Sequence, residues 1–256
     1  MTKFEEFNSL HHAKELFVLP NAWDAKSAMM LEEAGFKAIG TSSAAVASAL
    51  GYNDGEGMSF NEYLYVAKRI IASVKIPVTI DMEMGYGKSN EDILKNLLAL
   101  AELGVAGINI EDSCIEGVNR ALKNAQPFAE TAAYLKDKLK THHKDLFINI
   151  RCDTYLLNVA SKQEETARRL RLYETTGADG IFLPCISNEN DIARAINSTT
   201  LPLSVMCIPG LPGLDTLNEL GVKRVSMGPF LFNKVYSNIG SLSQSIMHER
   251  SFHAIL

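Results

Sequence analysis

The chain has 256 residues and a formal net charge of −5, with no Lys/Arg run longer than two, which argues against nucleic acid or an anionic membrane as the main partner. Apolar residues make up 46% and charged residues 21%, enough for a sizeable core and without a disorder signature. The longest apolar runs are strand-length rather than membrane-length, and Met1–Leu10 lacks a signal-peptide layout, so the expected setting is cytoplasmic.

In chain order, short apolar runs alternate with helical stretches. Leu16–Pro20 reads as a first strand, followed by a helix over Asp24–Ala34. Glu33–Gly40 then opens a unit that recurs at Glu102–Asn109, Thr176–Phe182 and Glu219–Ser226. In each, a helix ends, a glycine stops it (Gly35, Gly104, Gly177, Gly221) and an apolar strand follows. Glycine suits that position because a helix C-cap often needs positive φ. Pro77–Glu83, Phe147–Asp153 and Pro202–Ile208 supply the remaining strands. Between them the pattern predicts helices over Phe60–Val74, Glu91–Leu103, Phe128–Leu139, Gln163–Thr176 and Asp191–Ile196, and a last one over Leu231–His248. Near-continuous apolar strands are those of a parallel sheet covered on both faces. Eight βα units in residues 1–256 predict one (β/α)8 barrel domain, with a doubly wound open sheet as the competing topology.

Barrels build active sites at the C-terminal ends of their strands, and here those ends are polar. The second strand runs into Thr41-Ser42-Ser43, the third carries Asp81 and Glu83 before Gly85-Tyr86-Gly87, the fourth closes with Glu111-Asp112-Ser113, and the fifth with Arg151-Cys152-Asp153. Asp81 and Glu83, two apart on a strand, are expected to share a face. Crowded carboxylates of this kind suit Mg²⁺ or Mn²⁺; an acidic turn or an N-cap pair is the plainer explanation. Arg151 offers a planar fork for a substrate carboxylate or phosphate, and without ligand it is expected to pair with Glu111 or Asp153. Ser42-Ser43-Ala44 offers hydroxyls and N–H groups at a helix start, where Ser42 also suits a plain N-cap.

Other reactive side chains read as structural. His11, His12, His142, His143, His248 and His253 lie far from any strand C-terminus and are expected on the surface. The four cysteines lack disulfide or zinc spacing. Cys152 and Cys207 sit in apolar strands as small hydrophobes, Cys185 follows the sixth strand at the rim, and Cys114 lies beside the fourth strand's acidic end without a basic neighbour in sequence.

Five motifs occur in order: Thr41-Ser42-Ser43-Ala44, Gly51-Tyr52-Asn53-Asp54, Asp81 through Gly87, Asn109 through Ser113, and Arg151-Cys152-Asp153. Together they resemble the isocitrate lyase / phosphoenolpyruvate mutase superfamily, over roughly Leu19 to Pro229. The resemblance implies a (β/α)8 barrel that binds Mg²⁺ and a small 2-oxo or 2-hydroxy acid, and that makes or breaks C–C or C–P bonds through an enolate-like intermediate. It implies a homo-oligomer, a dimer or a tetramer, with the C-terminal helix exchanged between subunits. By position, Asp81 and Glu83 look like metal-site carboxylates, where the family usually has Asp twice. Asp54 looks like a further carboxylate reaching the metal through water, Glu111 like an acid of the same water shell, Arg151 like the carboxylate clamp, and Ser42-Ser43-Ala44 like the carboxylate-holding turn. The loop Cys114–Asn124 departs from the Lys-Lys-Cys-Gly-His of isocitrate and methylisocitrate lyases, so the acid–base residue is not identified, and Arg120 and Lys123 are the available cations there. The expected chemistry is C–C lyase or decarboxylase. A C–P mutase or hydrolase is the alternative, and a barrel that binds a 2-oxo acid without turnover is the third reading.

Overall fold

The computed structural model describes residues 1–117 and 119–256; Val118, inside the Cys114–Asn124 loop, lies outside them. In chain order the elements are α1 (Lys3–His11), β1 (Phe17–Leu19), β2 (Asn21–Ala22), α2 (Ala25–Glu33), β3 (Ile39–Thr41), α3 (Ser43–Ala49), α4 (Phe60–Ser73), β4 (Val78–Asp81) and α5 (Asn90–Glu102). They continue with β5 (Gly107–Glu111), β6 (Ser113–Glu116), β7 (Asn119–Leu122), α6 (Ala125–Thr141), β8 (Phe147–Arg151), α7 (Lys162–Glu174), β9 (Gly180–Leu183), α8 (Glu189–Ile196), β10 (Leu203–Met206), α9 (Leu214–Leu220), β11 (Arg224–Ser226) and α10 (Phe230–Glu249).

All pairings in the main sheet are parallel, in the order β1-β11-β10-β9-β8-β5-β4-β3-β2. Pro20 has no N–H to give and splits the first strand in two. Its first half pairs with β11 (Leu19 with Ser226) and its second with β3 (Asn21 with Gly40). The ring thus closes on eight strand positions, and the barrel is the topology found rather than the open sheet.

Gly35, Gly104, Gly177 and Gly221 all have positive φ (+89°, +82°, +78° and +99°), so the repeated stop signal has the backbone it was read for. Three predicted helix starts are capping boxes, at Asp24, Ser59 and Ser89, each satisfying first-turn N–H groups that have no helical partner.

Two features differ from the sequence reading. Residues 3–11 form α1, which seats Phe7 against Phe17 and Phe147 at the N-terminal end of the strands. His11 goes in with it. It is fully buried, stacked on Phe147 at 4.2 Å, whereas His12, His142, His143, His248 and His253 are exposed as expected. The polar stretch after the fourth strand becomes an antiparallel hairpin, β6–β7. Among the described residues no helix is long and apolar enough to cross a membrane.

Candidate active site

The C-terminal ends of the strands surround a cavity of about 450 Å³. Six of the eight residues singled out in the sequence line it: Ser42, Ser43, Ala44, Asp54, Asp81 and Arg151. Ser43 Oγ donates to Asp81 Oδ2 at 2.9 Å and lies 3.5 Å from Asp54 Oδ1. Ser42 caps α3, its Oγ accepting the N–H of Ala45 at 3.3 Å. Asp81 has one carboxylate oxygen, Oδ1, that is buried and without a hydrogen-bond partner. Burial raises its carboxyl above the ordinary range, while Arg151 and Ser43 pull it back.

The expectation that Asp81 and Glu83 share a face does not hold. The strand ends at Asp81, and Glu83 turns into the left-handed region at φ +46° as the chain enters the Gly85-Tyr86-Gly87 turn. Alternation of side chains holds only while the strand continues. Glu83 is instead buried behind the cavity wall. Its Oε2 accepts the Glu56 N–H at 2.8 Å and its Oε1 accepts the Tyr86 hydroxyl at 2.5 Å. Burial is the main cause that pushes its carboxyl up to about 7. Glu56 completes the latch by accepting the Tyr86 N–H at 2.7 Å.

Glu111 also lies behind the lining, fully buried between two guanidiniums. Arg151 Nη1 is 2.8 Å from Glu111 Oε2, and Arg120 Nη1 pairs with Oε1. Arg151 Nε donates to Asp153 Oδ1 at 2.6 Å, so without ligand it pairs with both acids expected for it. Arg120 comes from β7 and reaches the cavity, also taking Ser113 Oγ at 2.9 Å. Behind this layer, Asp112 Oδ1 accepts the Asp153 N–H at 2.8 Å, and its Oδ2 accepts Arg169 Nη1 and the Tyr173 hydroxyl at 2.9 and 2.7 Å. The ends of β5 and β8 are thereby braced against α7.

Cys114 lies on β6, where burial and Glu116 raise its thiol, so it stays protonated at neutral pH. Cys185 is raised chiefly by burial as well. Lining residues that carry no role in the sequence reading include Asn21, Phe182, Met206, Ser226 and Asn109, the last quoted only as the start of a motif. Asn21 and Ser226 are polar residues at strand ends and were recoverable by the same rule that found Ser42. Asn109 lies inside an apolar run, so only the strand's inward face reveals it.

Among the described residues no group of three or more His, Cys, Asp or Glu side chains is arranged to hold a metal. The donors that do converge are hard oxygens, Asp81 Oδ1 with Asp54 and Ser43 Oγ nearby. Such a sparse set fits Mg²⁺, which retains several waters.

The phosphoenolpyruvate phosphomutase family model matches residues 7–247. An uncharacterized protein of Mycobacterium tuberculosis is 36% identical over 223 residues, covering 87% of this chain and 81% of the relative. An oxaloacetate decarboxylase of Pseudomonas syringae is 25% identical, covering 85% and 75%. Among solved structures, one from Burkholderia cenocepacia, provisionally described as a phosphonomutase, superposes with a TM-score of 0.88 at 32% identity, covering 95% of this chain and 98% of that one. With a (β/α)8 barrel, a polar C-terminal mouth and a family match over nearly its whole length, the chain belongs to the phosphoenolpyruvate phosphomutase family and is an enzyme of the phosphoenolpyruvate mutase / isocitrate lyase superfamily.

Proposed function

We propose that the enzyme is Mg²⁺-dependent and acts on a small 2-oxo or 2-hydroxy carboxylate, breaking a C–C bond next to the acid as a lyase or decarboxylase. One observation carries this reading: a single cavity holds both the unpartnered Asp81 oxygen and the Arg151 guanidinium. Asp81 would hold the cation, with Asp54 reaching it through water; Mn²⁺ suits the same oxygens. Glu83, with both oxygens taken by protein donors, would act one layer back by fixing the loop that carries Asp54 and Glu56. When bound, the ion polarises the substrate's oxo group and stabilises the negative charge that develops there.

The chain's own residues do the rest. Arg151 exchanges its ion pair with Glu111 for the substrate carboxylate, where a bidentate contact in a dry site is strong. Glu111 keeps Arg120 as partner during that exchange, so no buried charge is left alone. Ser42-Ser43-Ala44 presents a hydroxyl and first-turn N–H groups to the substrate's anionic oxygens. An enolate-like intermediate would form with its negative charge facing Arg151. A decarboxylase among the relatives supports this reaction class.

The C–P alternative draws on one feature, the hairpin that brings Arg120 to the cavity with Lys123 behind it, a cationic wall suited to a phosphonate. Assembly as a dimer or tetramer with α10 exchanged belongs to the same proposal. Val235, Tyr236, Ile239 and Leu242 are exposed on that helix, a patch of the kind that marks protein contacts, and sedimentation in solution tests it.

The test of function is a steady-state assay with oxaloacetate, 2-methylisocitrate and phosphonopyruvate, with Mg²⁺ and with chelator. Mg²⁺-dependent cleavage of a C–C substrate is expected. Conversion of phosphonopyruvate alone would establish the alternative, and no turnover of any of them would contradict both.

A further inference from the structure

Arg224 opens β11 and is fully buried inside the barrel. The buried ion pairs among the described residues use Arg120, Arg151 and Arg169; Arg224 is in none of them. Its Nη2 donates to Asn109 Oδ1 at 3.2 Å, its Nη1 lies 3.4 Å from His11 Nε2, and its Nε has no partner. The guanidinium carbon is 5.7 Å from the centre of the Phe182 ring. Phe182 and Asn109 line the cavity, so this charge sits directly beneath the cavity floor. A buried cation without a counter-ion is costly, and a hydrophobe of similar volume would commonly be no less stable.

The neighbours have one consistent set of directions. His11 Nδ1 is 2.9 Å from the Phe7 carbonyl, which only accepts, so Nδ1 carries the proton and Nε2 is free to accept from Arg224. Burial first, and Arg224 second, hold His11 well below its ordinary value, so the ring is neutral. Asn109 Oδ1 accepts from Arg224 and also from Asn149 Nδ2 at 2.9 Å. Two donors on the oxygen fix which way the amide points. Asn109 stands opposite Asp81 in the strand register, and both side chains line the cavity. The sequence Phe7–His11–Arg224–Asn109–Asp81 therefore runs from the N-terminal plug to the open mouth.

We propose that Arg224 is a positioning residue of the active site, fixing Asn109 and through it the Asp81 carboxylate. The catalytic part of this inference rests on the reading of Asp81 given above.

Two measurements test it. The first needs no turnover: the ring nitrogens of His11 are followed by NMR, the resonance being assigned by its loss in His11→Leu. Asp81→Asn should shift the His11 resonances in an otherwise native chain and leave them unmoved when Asn109→Ala is also present. No shift on Asp81→Asn, or the same shift with Asn109→Ala, overturns the relay. The second is kinetic. Arg224→Met should melt at or above the native temperature, yet lose at least tenfold in kcat with KM changed less than threefold, because Arg151 still binds substrate. A kcat within threefold of native, with Asp81→Asn inactive, overturns the positioning role. If Arg224→Met fails to fold, Asn109→Ala carries the same kinetic test. A fully active Asp81→Asn would sink the site reading itself, and the His11 shift would still decide whether the relay exists.

Discussion

The two ends of this barrel are made by the same strands and have opposite chemistry. At the N-terminal end, Phe7, Phe17, Leu19, Ala38, Ala106 and Phe147 form a small apolar cluster capped by α1. At the C-terminal end, Asp81, Glu111, Arg120, Arg151 and Asp153 form a charged layer around a cavity. The first end is apolar and held by packing. The second keeps an unpartnered carboxylate oxygen on Asp81 and non-glycine residues at positive φ in Glu56, Glu83, Tyr86 and Cys185. Strained backbone is often held where function is. The comparison teaches that stability and chemistry are divided between the ends, so substitutions at each should separate the two.

The largest expected effect falls at the closed end. Phe7→Ala removes a ring packed against Phe17, Phe147 and His11 and should cost about 4 kcal/mol of stability. Chemical denaturation measures the loss, while kcat/KM of the folded enzyme should change less than fivefold. A large kinetic defect without a stability loss would break the division.

Next comes Arg151→Lys at the open end, which keeps the charge and loses the fork. Its kcat/KM on the substrate found by the panel should fall roughly a hundredfold, about 3 kcal/mol, with a melting temperature close to native. Activity within threefold of native would reduce Arg151 to an ion-pair partner of Glu111 and Asp153.

A smaller effect sharpens the contrast through pH. His11 is held below its ordinary value of 6.5 by burial and by Arg224, so folding favours its neutral form. The stability this contributes is present above 6.5 and is lost as pH falls toward the depressed folded value. The slope from this group should approach about 1.4 kcal/mol per pH unit below 6.5. Urea unfolding at pH 7.5 and 5.5 checks it, and His11→Leu should flatten that part of the dependence. An unchanged slope in the variant would place the titrating group elsewhere.

The open end was the more legible of the two in the sequence. Ser42, Asp81 and Arg151 were found because polar residues at the ends of apolar strands are out of place unless a site uses them. The closed end was nearly silent. Phe7 and His11 lie in a mostly polar segment, and nothing local says that its few apolar residues fill a barrel mouth. The hairpin carrying Arg120 escaped notice because residues 113–122 lack the alternation that marks a strand. Glu83 was misplaced for a backbone reason, since a two-residue period cannot foresee the left-handed turn that follows Asp81. The glycines at positions 35, 104, 177 and 221 were read correctly because their role depends on local φ alone.

The central claim, that the open end is a Mg²⁺-dependent site organised on Asp81, is tested most directly by metal-induced stabilisation. A ligand that binds only the native state raises the melting temperature as its concentration exceeds Kd. The measurement is the thermal unfolding of the native chain and of Asp81→Ala over a Mg²⁺ titration at constant ionic strength. The account predicts a concentration-dependent rise for the native chain and none for Asp81→Ala. An equal rise in both would contradict it.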